Sequence, residues 1–243
     1  SLIFENLQEL AKTYKSSNLI ELVEIAEAKI KELEIEKLVA LECDMQIVLA
    51  FMEFDGIAVD KDYLIEVEKE YKAKLAKIKQ EIFDFVGHEF NPASTKELGH
   101  ILFEVLKLPV MKKNKTGYST DDSTLTKLAG MSDIVPLIKK FRSYSKFLST
   151  YVVGLQPSIE EDGKIHTTYS QAQVATGRLS SINPNLQNIP ADQEFGNVIK
   201  KAFKPEKPEY EFLSLDYSQI DLRLLAYVSK DKNLTKAFNN DED

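Results

Sequence analysis

The longest regular pattern in the chain is an apolar stripe that runs through residues 61–86. Its members recur every three or four positions, which predicts one amphipathic helix. They are Leu64, Val67, Tyr71, Leu75, Ile78, Ile82 and Phe85. Asp60 precedes the stripe and is a predicted N-cap. At a rise of 1.5 Å per residue the helix would be roughly 39 Å long. Any fold must accommodate it, and its length favours an arm over a core filler.

Helical patterns fill most of the first 150 residues. One lies within residues 1–40, a second ends near Gly56, and residues 57–59 form a short extended piece. Ser94 and Glu97 have the spacing of a capping box. Lys, Asn and Gly cluster over residues 112–117 and predict a turn before a short helix. A further helix is predicted from near Pro136 to about residue 151.

The pattern changes near Gly154, where β-favouring segments begin. These segments are residues 164–170, 198–203 and 211–215. The fold class is therefore predicted to be α+β, with a helical part followed by antiparallel strands and a boundary near residue 155.

Composition excludes several classes of protein. No apolar run approaches the ~20 residues that a membrane-spanning helix needs. The one cysteine, Cys43, excludes an internal disulfide, and its apolar neighbours predict a buried, inert thiol. His and Cys show no zinc-binding spacing.

Charge is distributed unevenly along the chain. The formal net charge is −8. Residues 91–150 nevertheless carry 10 basic and 5 acidic side chains, between two acidic flanks. Such a basic region can bind a polyanion locally because screening confines each field to about 10 Å. Charge alone does not separate this interpretation from that of a solvated lysine-rich surface.

Two segments contain residues suited to chemistry. Nine of the sixteen residues of Ala175–Pro190 are Thr, Arg, Ser, Asn, Gln or Gly. This segment could donate hydrogen bonds to the minor groove and phosphates of DNA, or satisfy its own loop. In the second, residues 212–226, a predicted strand ends at Asp216 and a helix follows with Ile220, Leu224 and Leu225 on its packed face. Asp216 could bind Mg²⁺ or simply cap that helix.

Together the two segments resemble the motifs of the family A DNA polymerases, and of their bacterial members in particular. The matching residues are Thr176-Gly-Arg-Leu-Ser-Ser, Asn185-Leu-Gln-Asn-Ile-Pro190 and Asp216-Tyr-Ser-Gln-Ile. Upstream segments resemble the family's thumb in the same order, at residues 52–60, 91–94, 108–110, 112–120 and 146–151. The resemblance covers roughly residues 40–243. It implies a helical end of an exonuclease-like domain at 1–40, a helical thumb at 41–155 and the N-terminal part of an antiparallel-sheet palm at 156–243.

The resemblance implies roles for particular residues in the transfer of a nucleotide from a dNTP to a primer 3′-hydroxyl. Asp216 matches a catalytic, metal-binding aspartate that acts with the main-chain carbonyl of Tyr217 on two Mg²⁺ ions. Nucleotide-binding positions are Ser218, Gln219, Ile220 and Asp221. Primer–template DNA would contact Lys112, Lys113, Lys115, Arg142, Lys146, Ser149, Thr150, Thr176, Arg178, Asn185, Gln187 and Asn188.

Two departures from the family pattern affect these expectations. Asp221 stands where the family usually has a glutamate that excludes a ribonucleotide's 2′-hydroxyl. Aspartate is one methylene shorter. The resemblance therefore implies that the complete enzyme discriminates less well against ribonucleotides than its Asp221→Glu variant would. The family also continues into fingers and a second metal-binding aspartate beyond residue 243. Residues 1–243 alone are therefore expected to bind duplex DNA in replication or repair without polymerising. The missing parts would lie in the same chain or in another one.

The alternative is that this chain is the non-catalytic, DNA-binding half of a split polymerase. Proofreading by the chain is not expected, because its N-terminal acidic residues lie on a helix face and form no Asp-x-Glu strand motif. If the source is bacterial, the protein is expected in the cytoplasm with the nucleoid.

Overall fold

The computed structural model describes residues 7–114 and 117–240, and the chain divides into two compact units, residues 1–206 and 207–243. The helices are α1 (Leu7–Tyr14), α2 (Leu19–Glu32), α3 (Glu36–Asp55), α4 (Lys61–Val86), α5 (Thr95–His100), α6 (Asp122–Leu128), α7 (Ile134–Lys146), α8 (Phe195–Lys200), α9 (Ile220–Ser229) and α10 (Lys232–Asn239). Two π-helices, π1 (Ile101–Val105) and π2 (Phe147–Val153), continue α5 and α7. Short 3₁₀ turns lie at Gln156–Ser158 and Leu186–Asn188.

The strands form three antiparallel pairs. They are β1 (Ile57–Ala58) with β4 (Lys164–Ile165), β2 (Lys113–Asn114) with β3 (Gly117–Tyr118), and β5 (Thr168–Ser170) with β6 (Ser180–Ile182). The predicted α+β class is confirmed. The division at residues 40 and 155 stays a prediction, and β1 pairs across it with β4.

Helix α4 has the predicted bounds and the predicted cap. The Asp60 carboxylate accepts a hydrogen bond from the Tyr63 backbone N–H at 2.9 Å. Gly87, in the left-handed region at φ 85°, ends the helix because glycine adopts this conformation without steric cost. Phe85 is 44% exposed, and Phe83 is buried in its place. The helix lies in the core against α7 and π2, so it is not a free arm.

Four aromatic rings join α4, α7, π2 and α8. Tyr71 lies 4.8 Å from Phe147 and 5.5 Å from Tyr144, between ring centroids. Phe195 of α8 stacks on Phe147 at 4.7 Å and meets Tyr144 edge-on at 5.2 Å. Such pairs stabilise by about 0.5–1.5 kcal/mol each beyond the area they bury. This aromatic cluster (Tyr71, Tyr144, Phe147 and Phe195) therefore holds the start of α8 against α4, α7 and π2.

The prediction of a strand at residues 198–203 is wrong. Half of that segment, residues 198–200, belongs to α8, because Phe195, Val198, Ile199 and Ala202 have the i, i+3, i+4, i+7 spacing of a helix face and pack against the core. Phe203 makes only an isolated bridge with Val59.

The strand predicted at residues 211–215 is not formed either. A strand needs a neighbouring backbone, and the described part of the chain pairs none with this segment. Leu213 and Leu215 are more than 80% exposed. The predicted packed face of α9 is exposed as well, at 42% for Ile220, 53% for Leu224 and 52% for Leu225. Asp216 therefore follows an irregular segment and not a strand.

Cys43 is exposed, so the prediction of a buried thiol is wrong. Its helix, α3, buries only Leu49, and apolar neighbours along the chain do not bury a side chain without a packing partner. Among residues 7–114 and 117–240, no helix combines the length and apolar content that crossing a bilayer requires.

The capping box at the start of α5 forms with one change of partner. The Ser94 hydroxyl accepts from the Glu97 backbone N–H at 3.3 Å, as predicted. The Glu97 carboxylate, however, accepts from the Asn91 backbone N–H at 2.8 Å. The box thus fixes the turn that precedes the helix as well as the first helical turn.

His166 joins the end of α3 to β4. Its Nδ1 lies 2.7 Å from the Glu53 carbonyl oxygen, and its Nε2 lies 3.0 Å from the Asp162 carboxylate. Both partners only accept hydrogen bonds, so both contacts form at once only when the ring is an imidazolium. Gly56, at φ 61°, approaches so closely that a Cβ there would lie 2.6 Å from the ring. The Glu53 carbonyl, and then Asp162, raise the pKa of His166 above its ordinary value of 6.5.

We expect the stability that His166 provides to decline with rising pH. A raised folded-state pKa means that the native chain holds the proton more tightly than the unfolded chain, so the contribution is complete below 6.5 and is lost as the pH passes the folded-state pKa. Urea unfolding from pH ~5.5 to ~9 measures the free energy of unfolding of the native chain and of His166→Gln. The gap between the two values should narrow as the pH rises. Asp162→Asn should weaken this dependence. A constant gap would contradict the imidazolium assignment.

Candidate nucleic-acid interface

The polar segment 175–190 is held in place by a buried serine. Ser181 on β6 is fully buried, and its hydroxyl oxygen accepts from the backbone N–H groups of Leu186 at 3.1 Å and Gln187 at 3.2 Å. Asn185 caps the 3₁₀ turn by accepting from the same Gln187 N–H at 3.1 Å. Residues 186–188 are therefore fixed by side-chain hydrogen bonds within the segment.

Two more hydroxyl groups attach this segment to the rest of unit 1. The buried Thr167 hydroxyl lies 2.7 Å from the Pro184 carbonyl oxygen and 3.0 Å from that of Ile182. The Tyr151 hydroxyl of π2 donates to the Asn188 carbonyl at 2.6 Å. These contacts use the segment's backbone groups, so the side chains of Gln187 and Asn188 are exposed.

Beyond the segment, Tyr144 of α7 donates a 2.6 Å hydrogen bond to the Glu194 carboxylate. This bond, with burial, raises the pKa of Tyr144 to about 12. The phenol therefore remains protonated at all ordinary pH values. Together with the Phe195 ring it fixes the chain between the polar segment and α8.

A cleft of about 490 Å³ separates π2 from the polar segment. One wall consists of Lys146 at the end of α7, Thr150 and Tyr151 of π2, and Gly154 and Leu155 just after it. The polar segment contributes Pro184, Asn185 and Asn188. Four of the twelve predicted DNA-binding residues thus line one surface: Lys146, Thr150, Asn185 and Asn188.

The other predicted contacts do not line this cleft. Thr176, Arg178 and Gln187 are exposed elsewhere on the polar segment, and Ser149 is exposed on π2. Lys112 and Lys113 are exposed on the β2–β3 hairpin. Lys115 lies outside the described residues. The dispersion of these positions suits an extended ligand better than a compact one.

The two described hairpin lysines have intramolecular partners. The Lys112 ammonium lies 3.1 Å from the Asp121 carboxylate, and that of Lys113 lies 5.4 Å from the centre of the Tyr118 ring. Asp121 also caps α6 by accepting from the Thr124 backbone N–H at 2.8 Å. Hydrogen bonds from Thr124, and then Lys112, hold the pKa of Asp121 far below its ordinary value.

Arg142 is half-buried, unlike the other predicted DNA contacts in the described part of the chain. Its Nη1 donates to the Thr120 carbonyl oxygen, and its Nη2 donates to the Thr120 hydroxyl at 3.0 Å. Burial lowers the pKa of Arg142, against the opposing effect of the Asp122 and Asp121 carboxylates. The guanidinium nevertheless remains charged, because arginine is not deprotonated in proteins at ordinary pH.

The aspartate segment belongs to the second unit, residues 207–243. Asp216, Tyr217 and the predicted nucleotide-binding positions 218–221 are all exposed there. Helix α9 follows, and Arg223 donates from Nε to the Ser218 carbonyl at 3.0 Å. The Arg223 guanidinium also lies 4.9 Å from the Phe238 ring centre, which joins α9 to α10. These contacts fix the backbone one turn after Asp216.

The donors around Asp216 suit part of a magnesium site. A carboxylate and the neighbouring Tyr217 carbonyl are the oxygen ligands that Mg²⁺ prefers. No group of three or more His, Cys, Asp or Glu side chains within the described ranges could hold a metal ion. Asp216 and Tyr217 are therefore compatible with Mg²⁺ but do not form a complete set of ligands.

Sequence reasoning missed the residues that fix this surface. Tyr151, Thr167 and Ser181 act through one or two hydrogen bonds each, to backbone groups 5 to 37 positions away. No spacing rule connects such pairs. The only signal was that Tyr151 and Ser181 lie within segments already singled out.

Comparison with known proteins defines the class. The family model described as DNA polymerase family A matches residues 61–243, and this chain belongs to that family. It is 50% identical over 212 residues to DNA polymerase I of Streptococcus pneumoniae strain R6, covering 86% of this chain and 24% of that protein. It is 51% identical over 217 residues to DNA polymerase I of Lactococcus lactis strain IL1403, covering 89% of this chain and 25% of that protein.

A solved structure agrees with this assignment. The polymerase domain of Pol1 from M. smegmatis, in complex with DNA primer-template and dNTP, matches with a TM-score of 0.87 and 34% identity. The match covers all of this chain and 46% of that one. The chain spans about a quarter of the length of the curated relatives it matches.

We expect Ser181→Ala to destabilise the chain by about 1–3 kcal/mol, because the Leu186 N–H would lose its acceptor in a buried position. Ser180→Ala is the matched control. The Ser180 hydroxyl bonds the Gln173 side chain at the surface, so we expect a change within about 0.5 kcal/mol. Urea unfolding measures both. Equal effects would show that Ser181 does not fix the turn.

Proposed function

We propose that this chain is the duplex-binding thumb and first palm part of a DNA-directed DNA polymerase. The observation that carries the proposal is the cleft that brings Lys146 and Thr150 together with Asn185 and Asn188 from a segment more than thirty residues away. Family membership and the DNA-bound structural relative support it. The ligand is primer–template DNA, held without regard to its sequence.

The chemistry of the surface supports sequence-independent binding. Ammonium groups contact phosphates as point charges, and amide and hydroxyl groups can bond to phosphate or to acceptors common to all base pairs. Each phosphate neutralised by a lysine releases counterions, so affinity falls as salt rises. This salt-dependent part of the affinity would come from Lys112, Lys113 and Lys146. Arg178 and Gln187 would contact the minor groove and backbone near the primer terminus.

We assign the catalytic contribution of this chain to Asp216. Its carboxylate, with the Tyr217 carbonyl, would hold Mg²⁺, which when bound activates the primer 3′-hydroxyl and neutralises the triphosphate. Ser218, Gln219, Ile220 and Asp221 would lie beside the incoming dNTP. Catalysis of this kind depends on positioning and charge neutralisation. The backbone contact of Arg223 to Ser218 contributes by fixing the turn that presents these residues.

If Asp216 acts in catalysis, its substitution should impair primer extension without impairing the binding of primer–template DNA. In the full-length protein, Asp216→Asn should reduce primer extension by at least ~100-fold and leave the dissociation constant for primer–template nearly unchanged. Asp231→Asn is the control in the same unit. Asp231 caps α10, and asparagine caps equally well. An Asp216→Asn enzyme that extends primers normally would refute the assignment.

Removing the ion pair between Lys112 and Asp121 should raise the affinity of the chain for duplex DNA. Asp121→Asn keeps the cap of α6 but frees Lys112, so we expect duplex DNA to bind up to about fivefold more tightly. Asp122→Asn changes the net charge equally, but Asp122 pairs with Lys139 at 3.2 Å. Fluorescence anisotropy at several salt concentrations compares the two variants. Equal gains in DNA affinity for the two variants would mean that net charge, and not the release of Lys112, determines the effect.

A further inference from the structure

The tip hairpin, which we define as residues 112–114 and 117–121, is too short to fix its own direction. Each strand contributes two residues to the ladder, and an isolated pair of strands is marginally stable at best. Its base has one further backbone bond, from the Ser119 N–H to the Lys112 carbonyl at 3.0 Å. The direction in which the hairpin leaves the helices must therefore come from tertiary contacts.

One contact on each side of the hairpin base can set this direction. On one side the Tyr118 ring lies 4.9 Å from the Phe103 ring of π1. On the other side Arg142 reaches from α7 and donates two hydrogen bonds to Thr120. Thr120 is only 4% exposed, and it directly precedes the cap of α6. The guanidinium thus fixes Thr120, the second-last residue of the hairpin, against α7.

The geometry of this contact requires arginine. The carbonyl oxygen and the hydroxyl of one residue accept from two nitrogens of the same planar group. A lysine ammonium has the charge but not the planar fork. If the guanidinium turned towards a phosphate, the buried Thr120 carbonyl would lose its donor, which is unfavourable. Among the described residues of the hairpin, the exposed cations are Lys112 and Lys113.

We propose that Arg142 is a positioning residue that fixes the tip hairpin so that Lys112 and Lys113 face the phosphates of bound DNA. Arg142 itself does not contact the DNA. The part that concerns DNA rests on the proposed function, whereas the part that concerns the hairpin does not.

Substitution by lysine separates positioning from direct contact. A phosphate contact needs a positive charge, which Arg142→Lys keeps. Positioning needs the planar fork, which Arg142→Lys removes. The matched control is Lys139→Arg on the same helix, because Lys139 bonds Asp122 and Thr126 of α6 and does not touch the hairpin.

Duplex binding by the 243-residue chain is measured against salt for Arg142→Lys, for Lys112→Ala/Lys113→Ala and for the triple variant. Each lysine–phosphate contact contributes about one to the slope of log affinity against log salt. We expect Arg142→Lys and the double variant each to lower the slope by about two. The triple variant should bind no more weakly than the double. A wild-type slope for Arg142→Lys, or additive losses in the triple variant, would overturn the proposal.

A measurement without DNA tests the hairpin directly. Amide hydrogen exchange at Ser119, whose N–H bonds Lys112, should become about tenfold faster in Arg142→Lys, while exchange in α4 stays unchanged. Thr120→Val removes only the hydroxyl acceptor and should give a smaller increase. Unchanged exchange at Ser119 in Arg142→Lys would overturn the positioning role. If the chain failed to bind DNA but showed this exchange pattern, only the proposed function would fail.

Discussion

The aromatic cluster is the contact on which the arrangement of the first unit depends. Tyr71 comes from α4, Tyr144 and Phe147 from the continuous helix of α7 and π2, and Phe195 from α8, so three separate parts of the chain meet at one place. Aromatic rings bury large apolar areas and interact most favourably in a few relative orientations. The cluster therefore fixes both the distance and the angle between the helices and the segment that leads into α8.

Polar contacts then convert this packing into a defined surface. Tyr144 and Tyr151 lie about two turns apart on one continuous helix, and their hydroxyl groups donate to the Glu194 carboxylate and the Asn188 carbonyl. Because these bonds and those of Ser181 use backbone groups or the Glu194 carboxylate, the side chains of Gln187 and Asn188 remain exposed. Rigid backbone with exposed amides is well suited to an extended, repetitive ligand such as a DNA backbone.

The hairpin and the cleft differ in how they are supported. The cleft lies beside the core, and its walls are set by the aromatic cluster. The hairpin depends on a few directional contacts, chiefly those of Arg142 with Thr120 and of Tyr118 with Phe103. Local stability follows the number of buried contacts, so the hairpin is the part that can adapt to the path of a ligand at least cost.

The sequence by itself determined the α+β class, the family, and the start and end of α4, because helix periodicity and caps are local properties. It failed at residues 198–203, at residues 211–215 and at Cys43. There, strand formation and burial depended on whether another part of the chain packed alongside. The family resemblance implies that Arg142 contacts DNA, but a sequence motif does not show whether its guanidinium already has a partner within the chain. Only the tertiary structure shows that Thr120, 22 residues earlier, occupies its guanidinium. Hydrogen bonds between distant residues depend on how helices pack, and no local pattern encodes them.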